Sequence, residues 1–346
     1  MISAFVRANE LLFRSDGILV VGSPMVDLVA HVDEGTLKRL GAKRSSAIAV
    51  SQVEFGEILG KLRRPVKRVL GGSAANVACA LARMYGRTSL IGKIGVDPAG
   101  AFCREKLMQE GVNAWVSVDF EKPTGSVLVL VTPDGERSMV ACLGASESFN
   151  VHELTGLEFN QMGIVHFEGY QLSDFEACVR MMKMAKGNNA RVSLDLASYD
   201  WVKNKQEEFR FVIHEFVSYL FGNKSEMQRL TELEDPQEIC QSLSMLVELV
   251  CLTDGAQGVW IGYGGVAHFF PADRVEPVDT TGAGDLFSAG VLHSIRWRWP
   301  LEKGIKFAQD LARTVVQREG AHLLDSDWDR FRKQYHLEQK LDSTGL

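Results

Sequence analysis

Six short apolar runs alternate with stretches of helical spacing, and that alternation limits this chain to few architectures. Residues 18–22 (ILVVG), 88–95 (TSLIGKIG), 163–169 (GIVHFEG), 191–197 (RVSLDLA), 217–221 (VSYLF) and 248–255 (ELVCLTDG) are too short to be buried helices. Runs of this kind suit parallel strands covered on both faces. The segments between them read as helices. In SDFEACVRMMKMAKG, Ser173 and Glu176 form a capping-box pattern, Phe175, Val179 and Met182 share a face, and Gly187 marks a stop. AANVACALARMYG and PAGAFCREKLMQEG show similar periodicity and also end in glycine. The repetition predicts an α/β fold with a doubly wound, mostly parallel sheet flanked by helices.

Two regions break the rhythm. Residues 25–55 contain MVDLVAHV and SSAIAVSQ, and residues 114–142 contain AWVSVD and GSVLVLVTPDGERSMVAC. The last alternates apolar positions around a TPDGER turn, which predicts a hairpin. These strands come from distant parts of the chain, so a small β-sheet is expected as a lid over one edge of the main domain. The tail HLEQKLDSTGL reads as frayed.

A chain of 346 residues suits one large α/β domain with a small appendage. Its net charge of −6 gives no electrostatic reason to expect nucleic acid or an acidic membrane surface. No run approaches the roughly 20 apolar residues of a membrane span. The opening MISAFVRANELLFRSDG is a poor signal peptide, because Arg7, Asn9 and Glu10 interrupt it. Cys79, Cys103, Cys142, Cys178, Cys240 and Cys251 are scattered without a C-x-x-C pair, which fits a reducing compartment; a cytoplasmic location is expected. The eight histidines show no zinc-like spacing.

The stretch VEPVDTTGAGDLFSAG, residues 275–290, places small residues between two carboxylates just before an apolar helix. A helix N-terminus carries unpaired N–H groups and partial positive charge. Gly282, Ala283 and Gly284 leave those groups uncovered, so the turn can wrap an anion such as phosphate. Asp285 would repel that anion unless it had its own task, and accepting a hydroxyl proton is such a task; the plainer reading is a tight turn with Asp285 as a cap. In VLGGSAANVACALARMYG, Gly72 allows close backbone approach and Asn76 falls in the first turn of a helix, where an amide both donates to and accepts from a hydroxyl or satisfies local backbone. Asp27 follows the first strand, in the crevice where open α/β sheets bind ligands. An ionised carboxylate there suits a pair of neighbouring sugar hydroxyls, and read alone it is a turn residue. There is no G-x-x-x-x-G-K-[ST], and GAGDLF puts Phe287 where the dinucleotide fingerprint needs a small residue, so a Rossmann dehydrogenase fits poorly.

The order GGSAAN, GVDPAG, DTTGAGD resembles the ribokinase-like (PfkB) family of carbohydrate and nucleoside kinases, from about Val20 to Ala321. Within it, GSPMVDLVAHVD, GGSAANVACALARM and ERSMVACLGAS look closest to adenosine kinase-like members. The resemblance implies ATP-dependent phosphoryl transfer to a primary hydroxyl of adenosine, a related nucleoside or a sugar. Asp285 matches the family's catalytic base, and Gly282, Ala283 and Gly284 its anion hole. Asn223 and Glu226 match an N-x-x-E element that organises Mg2+ and phosphate, Glu226 indirectly. Thr253, Gly255 and Gly258 match a T-x-G-x-x-G segment near the ATP phosphates. Asp27, Gly72 and Asn76 match contacts to substrate hydroxyls. Asp279 and Thr281 match the neighbours of a monovalent cation, K+ in many members. The family also implies the lid, and either a monomer or a homodimer formed through it. An aspartate of ordinary pKa, about 3.9, is expected to serve as base in a loose transition state. A protein that kept the fold and lost catalysis is the alternative; the intact base and glycines speak against it. Arg137 is expected either to swing over the phosphates or to be a solvated hairpin charge. Phe149, Phe167 and Tyr170 are candidates to stack on a purine or to be core.

Overall fold

The structure is a computed structural model that describes residues 17–44, 46–62, 66–84, 86–134, 136–148 and 157–337. Its first strands, in chain order, are β1 (Gly17–Val21), β2 (Met25–His31), β3 (Ala47–Ala49), β4 (Lys67–Gly71), β5 (Thr88–Gly95), β6 (Asn113–Asp119) and β7 (Ser126–Val131). The remainder are β8 (Arg137–Cys142), β9 (Met162–Glu168), β10 (Arg191–Asp195), β11 (Val217–Asn223), β12 (Leu249–Thr253), β13 (Gly258–Tyr263) and β14 (Val266–Pro271).

Nine of these form one sheet in the order β14-β13-β12-β11-β10-β9-β1-β5-β6. The ladder from β12 to β6 is parallel throughout, and β13 and β14 add an antiparallel edge. All six apolar runs lie in this sheet. β1, β5 and β9 are buried along their whole length, as their continuous apolar pattern demands. Helices on the two faces close two apolar cores, one around Val20, Leu81 and Phe307, the other around Val165, Met182 and Phe209. The chain leaves β1 toward β5 on one side and later returns to β9 on the other. That reversal opens a crevice at the C-terminal strand ends.

The other five strands form a separate sheet, β3-β8-β7-β2-β4, whose β7–β8 pair is the expected hairpin. Helices Glu34–Arg39 and Gln52–Lys61 bring Leu37, Leu40 and Phe55 into the same core as Leu28, Leu128 and Val140 of this sheet.

Two assignments change. Residues 114–119 belong to β6, which pairs in parallel with β5 at the edge of the large sheet, and not to the lid. The lid takes β4 instead, antiparallel to β2. An edge strand with one face half exposed carries the same alternating pattern as a lid strand, so the pattern does not reveal the sheet. The helix after β9 runs Phe175–Gly187 and is capped by Asp174, whose carboxylate accepts from the Ala177 N–H at 3.0 Å, rather than by Ser173. Of the tail, only His336 and Leu337 fall within the described residues. Among the described residues, no helix is long and apolar enough to cross a membrane.

Candidate active site

Two helix N-termini meet at the crevice. Helix Ser73–Arg83 follows β4, and its alanine-rich sequence lets it pack closely: a Cβ on Gly22 would stand 2.5 Å from that of Ala74. Helix Ala283–Arg296 packs against it, preceded by Gly282 at φ 78°, a left-handed conformation that favours glycine. A Cβ there would also lie 2.5 Å from that of Ala321. Gly284 differs, because a Cβ on it would meet nothing within 4 Å. The first turn of this helix is therefore bare on its outer side.

Asp285 sits in that turn and faces the other helix. Its Oδ1 accepts from Ser73 Oγ and its Oδ2 from Asn76 Nδ2, both at 2.8 Å. Burial pushes its carboxyl up to about 6, against the pull of those two donors and with a further push from Asp195. The ordinary value expected from the sequence is thus corrected upward, yet the group stays mostly ionised at pH 7. Asn76 spends its amide nitrogen on Asp285, and its Oδ1 is buried without a partner. Gly72 is the residue before the helix, at φ 89°.

Asp27 lies on β2 in the lid sheet. A Cβ on Gly71 would stand 2.2 Å from its Oδ1, so the glycine at that position makes room for the carboxylate. Burial pushes Asp27 up to about 6, Arg137 pulls it down and Asp285 pushes it up. Asp27, Arg137 and Asp285 therefore share one neighbourhood, the first two from the small sheet and the third from a helix against the large one.

Beside the bare turn lies a cleft of about 290 Å³ lined by Thr253, Gly255, Gly258, Thr280, Ala283 and Gly284 among others. Both Gly255, at φ 53°, and Gly284 face open space, and the cleft wall carries Arg274 and Arg313. Arg313 is held by Asp273 at 3.3 Å and Asp310 at 3.0 Å, so the bare turn beside Arg274 is what fits a nucleotide's phosphates. Asn223 and Glu226 stand at the end of the neighbouring strand and build a helix capping box. Glu226 accepts from the Asn223 N–H at 2.8 Å and from its Nδ2 at 2.7 Å, while Asn223 Oδ1 accepts from the Glu226 N–H at 3.0 Å. Both carboxylate oxygens of Glu226 are thus occupied, and burial pushes the group up to about 7. Among the described residues no cluster of three or more His, Cys, Asp or Glu is placed to hold a metal. This donor set does not fit a directly protein-bound Mg2+; a cation held on phosphates, with few protein ligands, needs none.

Arg137 is not a solvated charge. It reaches from β8 to the loop before the bare turn at 282–284, where its guanidinium lies 2.5 Å from Asp279 Oδ2 and donates to Thr281 Oγ1 at 3.0 Å. Asp279 is buried and also accepts from the Thr281 and Gly320 N–H groups. The two side chains that match a monovalent-cation site are therefore bound to a cation that the chain itself supplies.

The pattern shared by pfkB family carbohydrate kinases matches residues 18–328, and the chain belongs to that family. It is 27% identical over 336 residues to adenosine kinase 2 of Arabidopsis thaliana, covering 88% of this chain and 95% of that one. It is 33% identical over 236 residues to a fructokinase of Vibrio alginolyticus, covering 64% and 75%. The adenosine kinase of Sinorhizobium meliloti superposes with a TM-score of 0.83 at 26% identity over 92% of this chain and 99% of that one. A probable sugar kinase of Rhizobium etli gives 0.85 at 25% over 94% and 99%. The protein is thus a phosphotransferase of the ribokinase-like fold that acts on an alcohol group.

Sequence reasoning missed Ser73, Glu168 and Asp195, all close to Asp285. The signal was present: Glu168 and Asp195 end buried strands at the edge where ligands bind. Of the aromatic candidates, Phe167 is core and Tyr170 packs half exposed on Trp201, while Phe149 lies outside the described residues.

Proposed function

We propose that the protein phosphorylates the primary hydroxyl of adenosine or a related nucleoside, with ATP as donor and Mg2+ carried on its phosphates. The observation that carries this reading is the carboxylate of Asp285, held by Ser73 and Asn76 at the foot of a helix whose bare turn lines the cleft. Asp285 takes the hydroxyl proton as the acceptor oxygen bonds to the γ-phosphorus and the bond to the ADP oxygen breaks. The N–H groups of Gly282, Ala283 and Gly284 stabilise charge on the moving phosphoryl group. Asp27 and the Oδ1 of Asn76 receive the acceptor's hydroxyl groups. Thr253, Gly255 and Gly258 border the donor phosphates.

Nucleoside is favoured because the adenosine kinase relatives align along nearly the whole chain. A sugar acceptor is the second reading, favoured by the higher identity to the fructokinase. ADP release measured with adenosine, other nucleosides, ribose and fructose separates them. A kcat/KM at least ~100-fold higher for a sugar would reverse the assignment, since about 2.7 kcal/mol is the scale of one well-formed recognition contact.

The chain is proposed to act as a monomer in the cytoplasm. The lid sheet has its own helices over one face, and its β4 edge displays exposed Lys67 and Arg68, charges that discourage edge-to-edge pairing. The described cysteines are all free and buried, as a reducing compartment allows. Sedimentation showing a stable dimer at micromolar concentration would contradict the monomer.

A further inference from the structure

Glu168 is a buried acid that the reaction outlined above does not use. It ends β9, is 5% exposed and lies against the Ser73 hydroxyl and the Ala74 N–H, both of which pull its carboxyl down, while its Oε1 is buried without a partner. Ser73 therefore bridges two carboxyl groups, because its Oγ also meets Asp285 Oδ1 at 2.8 Å. A hydroxyl has one hydrogen. If both carboxyls were ionised, one of the two contacts would set lone pair against lone pair. One of them must carry a proton. Asp285 has a donor on each oxygen, from Ser73 and Asn76, and it can remain charged. Glu168 has one bare oxygen, and among the described residues the Ala74 N–H is its only donor besides the shared serine.

The geometry points to Glu168 as a positioning residue for the base: it stays protonated, donates to Ser73 Oγ, and so turns the serine hydroxyl toward Asp285. The inference rests on Asp285 being the base. Through this chain Asp285 keeps its donor, its charge and its aim, and its remaining lone pairs face the acceptor. The proton of Glu168 stays where it is throughout the turnover. The ionisable groups around it are Asp285 on the facing helix, Asp195 on β10, and Tyr170 in the following turn, with Glu226 behind Asp195. None of these is positive. Burial, with a further push from Asp285 and Asp195 and against the pull of Ser73 and the Ala74 N–H, raises Glu168 to about 8. When Glu168 ionises, it draws the Ser73 hydroxyl to itself, and Asp285 loses a donor and gains a repelling neighbour.

The test is Glu168→Gln in the full-length chain, whose amide mimics the neutral acid and still donates. In the ligand-free protein, the unfolding midpoints of parent and E168Q are compared between pH 5 and 9. A raised folded value means the parent's contribution is present below 4.5 and lost as pH climbs to about 8. The midpoint of E168Q should therefore gain on the parent across that window and then hold its lead. A difference that does not change with pH overturns the proposal. In the kinase assay, kcat/KM of the parent should fall above about pH 8, whereas E168Q should lose that limb and stay within about threefold at pH 7. A limb that persists in E168Q, or a loss beyond about 100-fold at pH 7, overturns it as well. Ser73→Ala serves if E168Q does not fold: it cuts the bridge, so the rate should be lower and the limb shallower, with only the repulsion between the two acids left. A limb as deep in S73A as in the parent refutes the bridge. The unfolding comparison needs no turnover, so it stands even if Asp285→Asn proves fully active and the base assignment fails.

Discussion

Replacing Asp285 with Asn should make the protein a much poorer kinase and a more stable fold. The local contacts survive the change. The introduced amide keeps one carbonyl oxygen for Ser73, and Asn76 can flip its own amide so that its unpartnered Oδ1 accepts from the new Nδ2. Burial raises the Asp285 carboxyl from 3.8 to about 6, so the charged form is held at a cost in the folded state. A shift of about two units corresponds to roughly 3 kcal/mol, and the residue's part exposure to cleft water reduces that to ~1–2 kcal/mol. For a chain of this size the expected rise in Tm is roughly 2–4 °C at pH 7. The sign follows from linkage. The parent's stability is fully present below 3.8 and lost as pH rises through about 6, so the advantage of D285N should disappear at pH 4. General-base catalysis contributes on the order of 10²–10⁴-fold, or about 3–5 kcal/mol of barrier. Calorimetry at two pH values and ADP release with the best acceptor measure both quantities. Activity near the parental rate, or a variant less stable than the parent at pH 7, refutes the reasoning.

Three other changes probe separate parts of the site. Gly284→Ala should leave Tm unchanged or slightly raised, because its Cβ enters open space and alanine favours helix by about 0.5–1 kcal/mol, while kcat/KM for ATP falls at least ~10-fold as the methyl covers the N–H groups proposed to hold phosphate; unchanged ATP kinetics would remove the anion hole from this turn. Asp27→Ala should raise the acceptor KM ~10–100-fold with the ATP KM unaltered, since hydrogen bonds to charged groups are worth about 1.5–3 kcal/mol; equal effects on both substrates would contradict a role confined to the acceptor. Arg137→Ala leaves buried Asp279 without its guanidinium, so the variant should become several-fold more active in K+ than without it, roughly 1 kcal/mol, whereas the parent responds little. Identical potassium responses in both would refute the built-in cation.

The large sheet was legible because each of its buried strands announces itself locally. Residues 18–22, 88–95 and 163–169 are apolar on both faces and lie where parallel strands were expected. β6 was not, because Asn113–Asp119 alternates as an edge strand does, and only its pairing with β5 tells which sheet it joins. The turn at 282–284 and Asp285 were visible as a run of small residues before an apolar helix. Their partners were hidden by distance: Ser73 lies 212 residues from Asp285 and Asn76 lies 209, and topology alone brings them together. Arg137 carries no local sign of its partner either, since Asp279 is 142 positions away on another element. The raised carboxyl of Asp285 has the same origin, because burial is a property of the packed crevice and not of the motif.

The central claim is that this crevice moves a phosphoryl group from ATP to a primary alcohol. Phosphorus NMR of the reaction mixture, with ATP, Mg2+ and each acceptor in turn, tests it most directly. The account predicts ADP and one phosphomonoester on the primary carbon in equal amounts, both falling together in Asp285→Asn. ADP formed with inorganic phosphate alone, or an ester on a secondary hydroxyl, would contradict it.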